Sequence, residues 1–461
     1  MSKDRSQGRR LTRRDFLRST VGAGAAVGGA SLLGAGWPGV REARAATASR
    51  PIQFIGWTYE PAMVRKNLDR FESQSAGLKV EYTSVVVAQY GDKLITMFAG
   101  NAPIDVLQVR DEDLAGWVDA GYLQAIDDMP RVDQYTRDML PFYTQSASYK
   151  GKLWGLPYYT DLKAFTCNEE MLTKAGISAP PTTLDELRRQ AIAIKKAGIV
   201  EYPLVLDMKK VSWAHRNWWA MVYAAGGGLF DAEFNPLFPD KDPTAVKILE
   251  WIVSGIHTDK FIDLKSLELD NNQTRDVFAA GQSAFVYHNK YDLQGFNDPK
   301  RSKVAGKAKM AMIPSLGKPL GAGKEHETIG FVRLYGIGRN VRDREAAWKL
   351  MEYLGGKDAA GQYYTAKMWY TERGLGYGYK SLDQDPDIQK ATATWGDMKL
   401  ISQQQALAKP GQLVASPWGA EWESFNYEAL QNAIIKRMTP REALAASAEK
   451  AVSLKKEFKT K

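Results

Sequence analysis

Between residues 52 and 118 the chain switches repeatedly between two hydrophobic periods, and this alternation restricts its fold more than any other feature. Residues 52–55 (Ile-Gln-Phe-Ile) read as a short strand. After Pro61, Val64, Leu68 and Phe71 recur at the i, i+4, i+7 spacing of one helix face. Leu78, Val80 and Tyr82 then alternate with Lys79, Glu81 and Thr83, the period of a half-buried strand. Tyr90, Leu94 and Met97 return to helical spacing, residues 105–109 read as a third strand, and Leu114, Trp117 and Val118 predict a helix stopped by Gly121. Repeated β-α units of this size predict an α/β protein with a mainly parallel sheet and helices on its faces. Further on, Thr183 with Glu186 and Thr439 with Pro440 and Glu442 predict capped helix starts. Ala347, Leu350, Met351 and Leu354 predict another helix, ended by Gly355.

Composition removes several function classes. A length of 461 residues suits two or three domains. The single cysteine, Cys167, excludes an intramolecular disulfide framework, and His215, His257, His288 and His326 share no metal-ligand spacing, so neither a metal nor a cofactor is expected. After residue 45 no uncharged apolar run reaches the roughly 18 residues of a membrane span. The formal charge of +9 suggests a nucleic-acid partner only until it is located. Residues 1–45 hold nine basic side chains against three acidic ones, two-thirds of the surplus. Nucleic acid is therefore not expected as a partner.

That leader has its own grammar. Thr12-Arg13-Arg14-Asp15-Phe16-Leu17-Arg18 resembles the twin-arginine export signal of bacteria, a weakly hydrophobic Gly/Ala stretch follows, and Ala43-Arg44-Ala45 has the small-x-small form of a cleavage site. Low hydrophobicity and arginine near the cleavage site suit the twin-arginine route. No cysteine follows Ala45, so lipid anchoring is not expected. Residues 1–45 are thus read as a signal peptide of a soluble periplasmic protein.

Several local patterns then become recognisable together. Residues 94–109 with the Gly-Tyr-Leu-Gln-Ala-Ile-Asp of 121–127 resemble the first lobe of family 1 extracellular solute-binding proteins, the receptors of ABC importers, of which maltose-binding protein is a member. Residues 149–161 (YKGKLWGLPYYTD), Asn168, Lys174-Ala175-Gly176-Ile177 and residues 180–187 are similar to that family's passage from lobe one to lobe two. Residues 278–288 and 330–340, leading into Ala347-Trp348, continue the likeness. The resemblance implies a two-lobed periplasmic-binding-protein fold with an interlobe cleft and crossing hinge strands near 159–165, 331–336 and 369–377. Lobe one would hold residues 46–160 and 331–369, and lobe two residues 161–330 and 370–461. It further implies a monomer that closes on a small, sugar-like molecule and presents it to an inner-membrane permease.

Catalytic signatures are missing from the sequence: there is no His-Glu-x-x-His, Gly-x-Ser-x-Gly or Cys-x-x-Cys. Residues 317–324 imitate a phosphate loop, but Ala322 takes the second-glycine place for that start, and Glu325 follows Lys324 where Ser or Thr is required. Aromatic residues are abundant, with 13 Trp, 21 Tyr and 16 Phe. Flat rings cover the C–H faces of sugars while charged and amide groups take the hydroxyls. Trp57, Tyr59 and Glu60 follow the first strand, and Arg110 and Asp111 the third, at carboxyl ends where open α/β sheets bind ligands. Tyr158, Tyr159 and Asp161 lie at the first implied crossing and Arg333 at the second. Trp213, Trp218, His288 and Asn289 are the second-lobe candidates, although the spacing of Trp213, Trp218 and Trp219 requires part of that cluster to be core. Pro417-Trp418 resembles the family's late aromatic site. A secreted carbohydrate-active enzyme, a polyol or quaternary-amine receptor and a structural surface protein are the competing classes.

Overall fold

A computed structural model describes residues 50–210 and 216–459. Arg13, Arg14, Ala43 and Ala45 of the leader, and the candidate Trp213, lie outside the described residues.

The three predicted β-α units form. Strand β1 (Ile52–Trp57) pairs in parallel with β2 (Val80–Val85) and β3 (Val106–Arg110). The helices Pro61–Gln74, Tyr90–Ala99 and Asp111–Asp119 alternate with them, burying Val64, Leu68, Phe71, Leu94 and Leu114. Gly121 ends the third unit in the left-handed region, φ +68°. The last of these helices starts on the residue directly after β3. Asp111, Glu112 and Asp113 therefore fill its first turn, where the helix dipole favours acidic groups.

Beyond these units lie the short strands β4 (Leu123–Gln124), β5 (Ser148–Tyr149) and β6 (Lys152–Leu153), then β7 (Leu156–Asn168), the longest. The remaining strands are β8 (Leu204–Val205), β9 (Phe285–Asn289), β10 (Ala308–Ala311), β11 (Thr328–Gly338) and β12 (Ala408–Pro410). Two of them serve both lobes. The first half of β7 pairs antiparallel with β11, and its second half with β9 and β10. β11 returns in the opposite sense, from β12 at Thr328 to β3 and β4 at its far end. The hydrogen-bonded order β2-β1-β3-β11-β7-β9-β8 is thus continuous through the molecule.

The third passage is shorter than the expected 369–377. Trp369 to Arg373 complete the helix Tyr364–Arg373, which Gly374 stops at φ +69°. Only the following residues cross, and Gly376 bridges Thr160 on β7. A Cβ at Gly376 would lie 2.3 Å from the Thr160 carbonyl oxygen, so the close approach requires glycine.

Two apolar cores flank the shared strands. One gathers Phe54, Leu68, Leu94, Val109, Tyr158, Leu334, Tyr335 and Trp369; the other Phe165, Leu187, Trp218, Trp219, Ile252, Tyr287 and Trp422. Ile388, Trp395 and Ile401 pack with the first core. Cys167, on β7, is buried in the second, and burial pushes its thiol far up from the usual range. The predicted caps are present: Thr183 and Glu186 form a reciprocal box, and Thr439 and Glu442 bond each other's backbone N–H groups. No helix among the described residues is long and apolar enough to cross a membrane.

Candidate ligand cleft

A cleft of about 980 Å³ opens where β7 and β11 pass between the lobes. Loop ends of the first lobe give it Trp57, Tyr59, Glu60 and Arg110, and the shared strands give Tyr159, Lys163, Phe331 and Arg333. The second lobe adds Arg216, Asn271, Asn289, Tyr291 and Asp292, and Arg373 and Trp395 complete the mouth.

Each wall has a local cause. Trp57 is the last residue of β1; its backbone N–H donates to Gln108 Oε1 at 2.9 Å, and its ring meets Tyr90 edge-on at 5.4 Å. Tyr59 leans on Trp369 at 5.8 Å, and burial raises its phenol above the usual range. Glu60 turns the chain through φ 46° into the first helix. Arg373 grips its carboxylate with two N–H groups, at 2.8 and 3.1 Å, which holds that carboxyl below its ordinary value.

The floor is an ionic network. Register places Arg333 of β11 between Arg110 of β3 and Tyr159 of β7. Arg333 Nη1 donates to Asp111 Oδ1 at 2.8 Å and Glu112 Oε2 at 3.0 Å, while the Val332 N–H donates to Asp111 Oδ2 at 2.9 Å. Arg110 Nε donates to Asp113 at 2.6 Å, and Arg216 reaches over from the second lobe to within 3.5 Å of Glu112. Burial works against the charged form of Glu112, but Arg333, Arg216 and Arg110 hold its carboxyl well below the ordinary range. Asp111 yields in the other direction, pushed up by burial and by Glu112 beside it. Beside this network Lys163 pairs with Asp207 at 3.3 Å, and Asn217 donates to the same carboxylate.

Of the predicted residues, Trp57, Tyr59, Glu60, Arg110, Tyr159, Asn289 and Arg333 stand on the wall of one cleft. Six do not. Asp111 lies behind the wall as the anchor of Arg333. Tyr158 is core, 4.9 Å from Tyr335, because side chains on a strand alternate and Tyr159 takes the cleft side. Asp161 is buried at the crossing, accepting the N–H groups of Leu162 and Tyr291, and burial lifts its carboxyl to about 6. His288 is also buried; its ring nitrogens lie 2.6 Å from Asp292 and 2.7 Å from the Asn271 carbonyl oxygen, so it positions two lining residues without touching the cleft. Trp218 donates to the Ala245 carbonyl inside the second core, and Trp418 packs near Phe230 and Phe234.

Lys163, Arg216, Tyr291 and Trp395 went unnoticed in the sequence. Lys163 carried a signal, since a lysine between the apolar Leu162 and Ala164 of a strand needs a reason. Trp395 carried none. Among the described residues no group of His, Cys, Asp and Glu could hold a metal ion.

This architecture, two α/β lobes sharing long strands over a polar-aromatic cleft, has known relatives. Residues 57–361 match the family model described as bacterial extracellular solute-binding protein, and the chain belongs to that family. A Deinococcus radiodurans protein named "Probable ABC transporter-binding protein" is 25% identical over 308 residues, 66% of this chain and 69% of its own. Maltose-bound MalE3 of T. maritima superposes with a TM-score of 0.74 at 20% identity, covering 88% of this chain and 99% of that one. The GacH receptor of Streptomyces glaucescens, solved unliganded and with acarbose, gives 0.73 at 19% identity, covering 88% and 98%.

Proposed function

We propose that this protein captures a carbohydrate-like solute between its lobes and delivers it to an ABC importer, without altering it chemically. One observation carries the proposal: the cleft combines the rings of Trp57, Tyr59, Tyr159, Tyr291, Phe331 and Trp395 with charged and amide side chains, the pairing of surfaces that a sugar ring presents. The relatives support it, one named for an ABC transporter and two solved with maltose or acarbose bound. The lobes divide at the three passages, near Asp161, Gly330 and Gly376, and rotate there to close on the ligand. Small-angle scattering should then show a smaller radius of gyration with saturating ligand; an unchanged radius would refute closure.

Native mass spectrometry of freshly purified protein identifies the co-purifying solute, and calorimetric titration measures its return. Recovery of the solute unchanged after incubation is the expected result, whereas released product would replace this proposal with an enzyme. The mature protein works in the periplasm as a monomer, exported by the twin-arginine machinery through Arg13 and Arg14 and cleaved after Ala45. Replacing both arginines by lysine should leave uncleaved precursor in the cytoplasm; mature periplasmic protein in that variant would show the leader to be something else.

A further inference from the structure

The cleft floor gathers basic side chains. Arg110, Arg216, Arg333 and Lys163 line the cavity, whereas the carboxylates they pair with, Asp111, Glu112, Asp113 and Asp207, do not. A solute on this floor therefore meets guanidinium and ammonium donors, while carboxylates that do line the cleft, Glu60 and Asp292 among them, are held by Arg373 and His288. A neutral hydroxyl both donates and accepts, so these four cationic groups, which only donate, satisfy half of its capacity; an anionic oxygen only accepts. Arg216 adds an independent mark. It is 4% exposed, its Nε has no hydrogen-bond partner among the described residues, and its ion pair with Glu112 is long at 3.5 Å. A buried guanidinium left this incompletely bonded is destabilising until an acceptor arrives.

We propose that the solute carries an anionic group, a carboxylate or phosphate, which seats against Arg216, Arg333 and Arg110 while its ring lies on the aromatic wall. This inference rests on the carbohydrate proposal for the rest of the solute, and the two fail separately. Charge-assisted bonds to arginine are the stronger and more directional kind, and the enclosed floor weakens their screening.

The test is calorimetric titration and thermal shift of the purified protein with matched pairs: glucuronate and glucose, galacturonate and galactose, glucose 6-phosphate and glucose, and an oligogalacturonate with a neutral oligosaccharide of equal length. At least one acidic member should bind about tenfold or more tighter than its neutral counterpart. That advantage should shrink at high ionic strength and fall to less than about threefold in Arg216→Gln, as expected for a charge-assisted contact. Glucuronate and glucose 6-phosphate responding differently would say which anion is meant. Equal response to both members of every pair, including no response to either, would overturn the inference on the wild-type protein alone, whatever the variant's stability. Tight binding of neutral sugars only would overturn it and leave the carbohydrate proposal standing. Tight binding of simple dicarboxylates with no sugar bound would keep the anion and overturn the carbohydrate.

Discussion

Trp57 and Trp418 are nearly equally buried, at 8% and 4% exposure, yet they have different surroundings. Trp57 ends a strand: Tyr90 and Tyr158 back its ring, and its remaining edge borders the cleft. Trp418 precedes the helix Gly419–Ile434 and sits in an aromatic cluster, with Phe230 at 6.4 Å, Phe234 at 6.3 Å and Trp422 deeper in the same core. The difference teaches that exposure alone does not separate a ligand platform from a core plug. What decides is whether the space beside the ring is already filled by the protein.

The largest effect that could break this contrast is the loss of Trp418. Trp418→Ala should remove about 3–5 kcal/mol of folding stability and leave the affinity of the folded fraction unchanged. Denaturant melts beside calorimetry would read both, and intact stability with lost binding would move Trp418 to the cleft. Asp161, at the crossing between the two regions, gives the next largest effect. Burial raises its carboxyl to about 6, so the folded state keeps this proton to higher pH than the unfolded chain does. Its contribution is present below about pH 4 and is lost as pH rises to about 6, a change of about 2–3 kcal/mol. Asp161→Asn should abolish that part of the pH dependence; parallel stability curves for the two proteins from pH 4 to 6 would refute it.

Trp57→Ala should cost about 2 kcal/mol or more in affinity for a ring-bearing ligand, roughly 30-fold. Its stability loss should be smaller than that of Trp418→Ala, because the space left opens to the cleft and fills with water. A large fall in the apo melting temperature with affinity retained would erase the contrast. The smallest effect belongs to the rim. Glu60 and Arg373 form a half-exposed pair, at 38% and 31% side-chain exposure, so Glu60→Gln should cost only about 0.2–1 kcal/mol. Thermal melts of wild type and variant should converge at high salt, where this exposed pair is screened; a gap that persists would show the pair to be shielded from solvent.

The same contrast shows what was legible in the sequence. The local pattern placed β1 and β3 to within two residues of their carboxyl ends, expected at 55 and 109 and found at Trp57 and Arg110. Trp57 and Arg110 thus end the strands instead of following them, and Tyr59 and Glu60 come just after. The sequence could not place Trp218 and Trp418 in the core because their environments come from residues far away in sequence: Trp218 bonds Ala245, and Trp418 meets Phe230 and Phe234. Arg216 and Lys163 were missed for the same reason, since their carboxylate partners sit at 112 and 207. Tyr158 and Tyr159 show the limit most narrowly. Composition marks both, and only the register of β7 on β11 tells which ring faces the cleft.

The lone cysteine has a practical consequence. Cys167 sits inside the shared sheet with a thiol that burial keeps protonated, so the folded protein offers maleimide or nitroxide reagents no native target. Two cysteines introduced on the outer surfaces of opposite lobes would be labelled without background, and the separation of the two probes could then be followed molecule by molecule as solute is added.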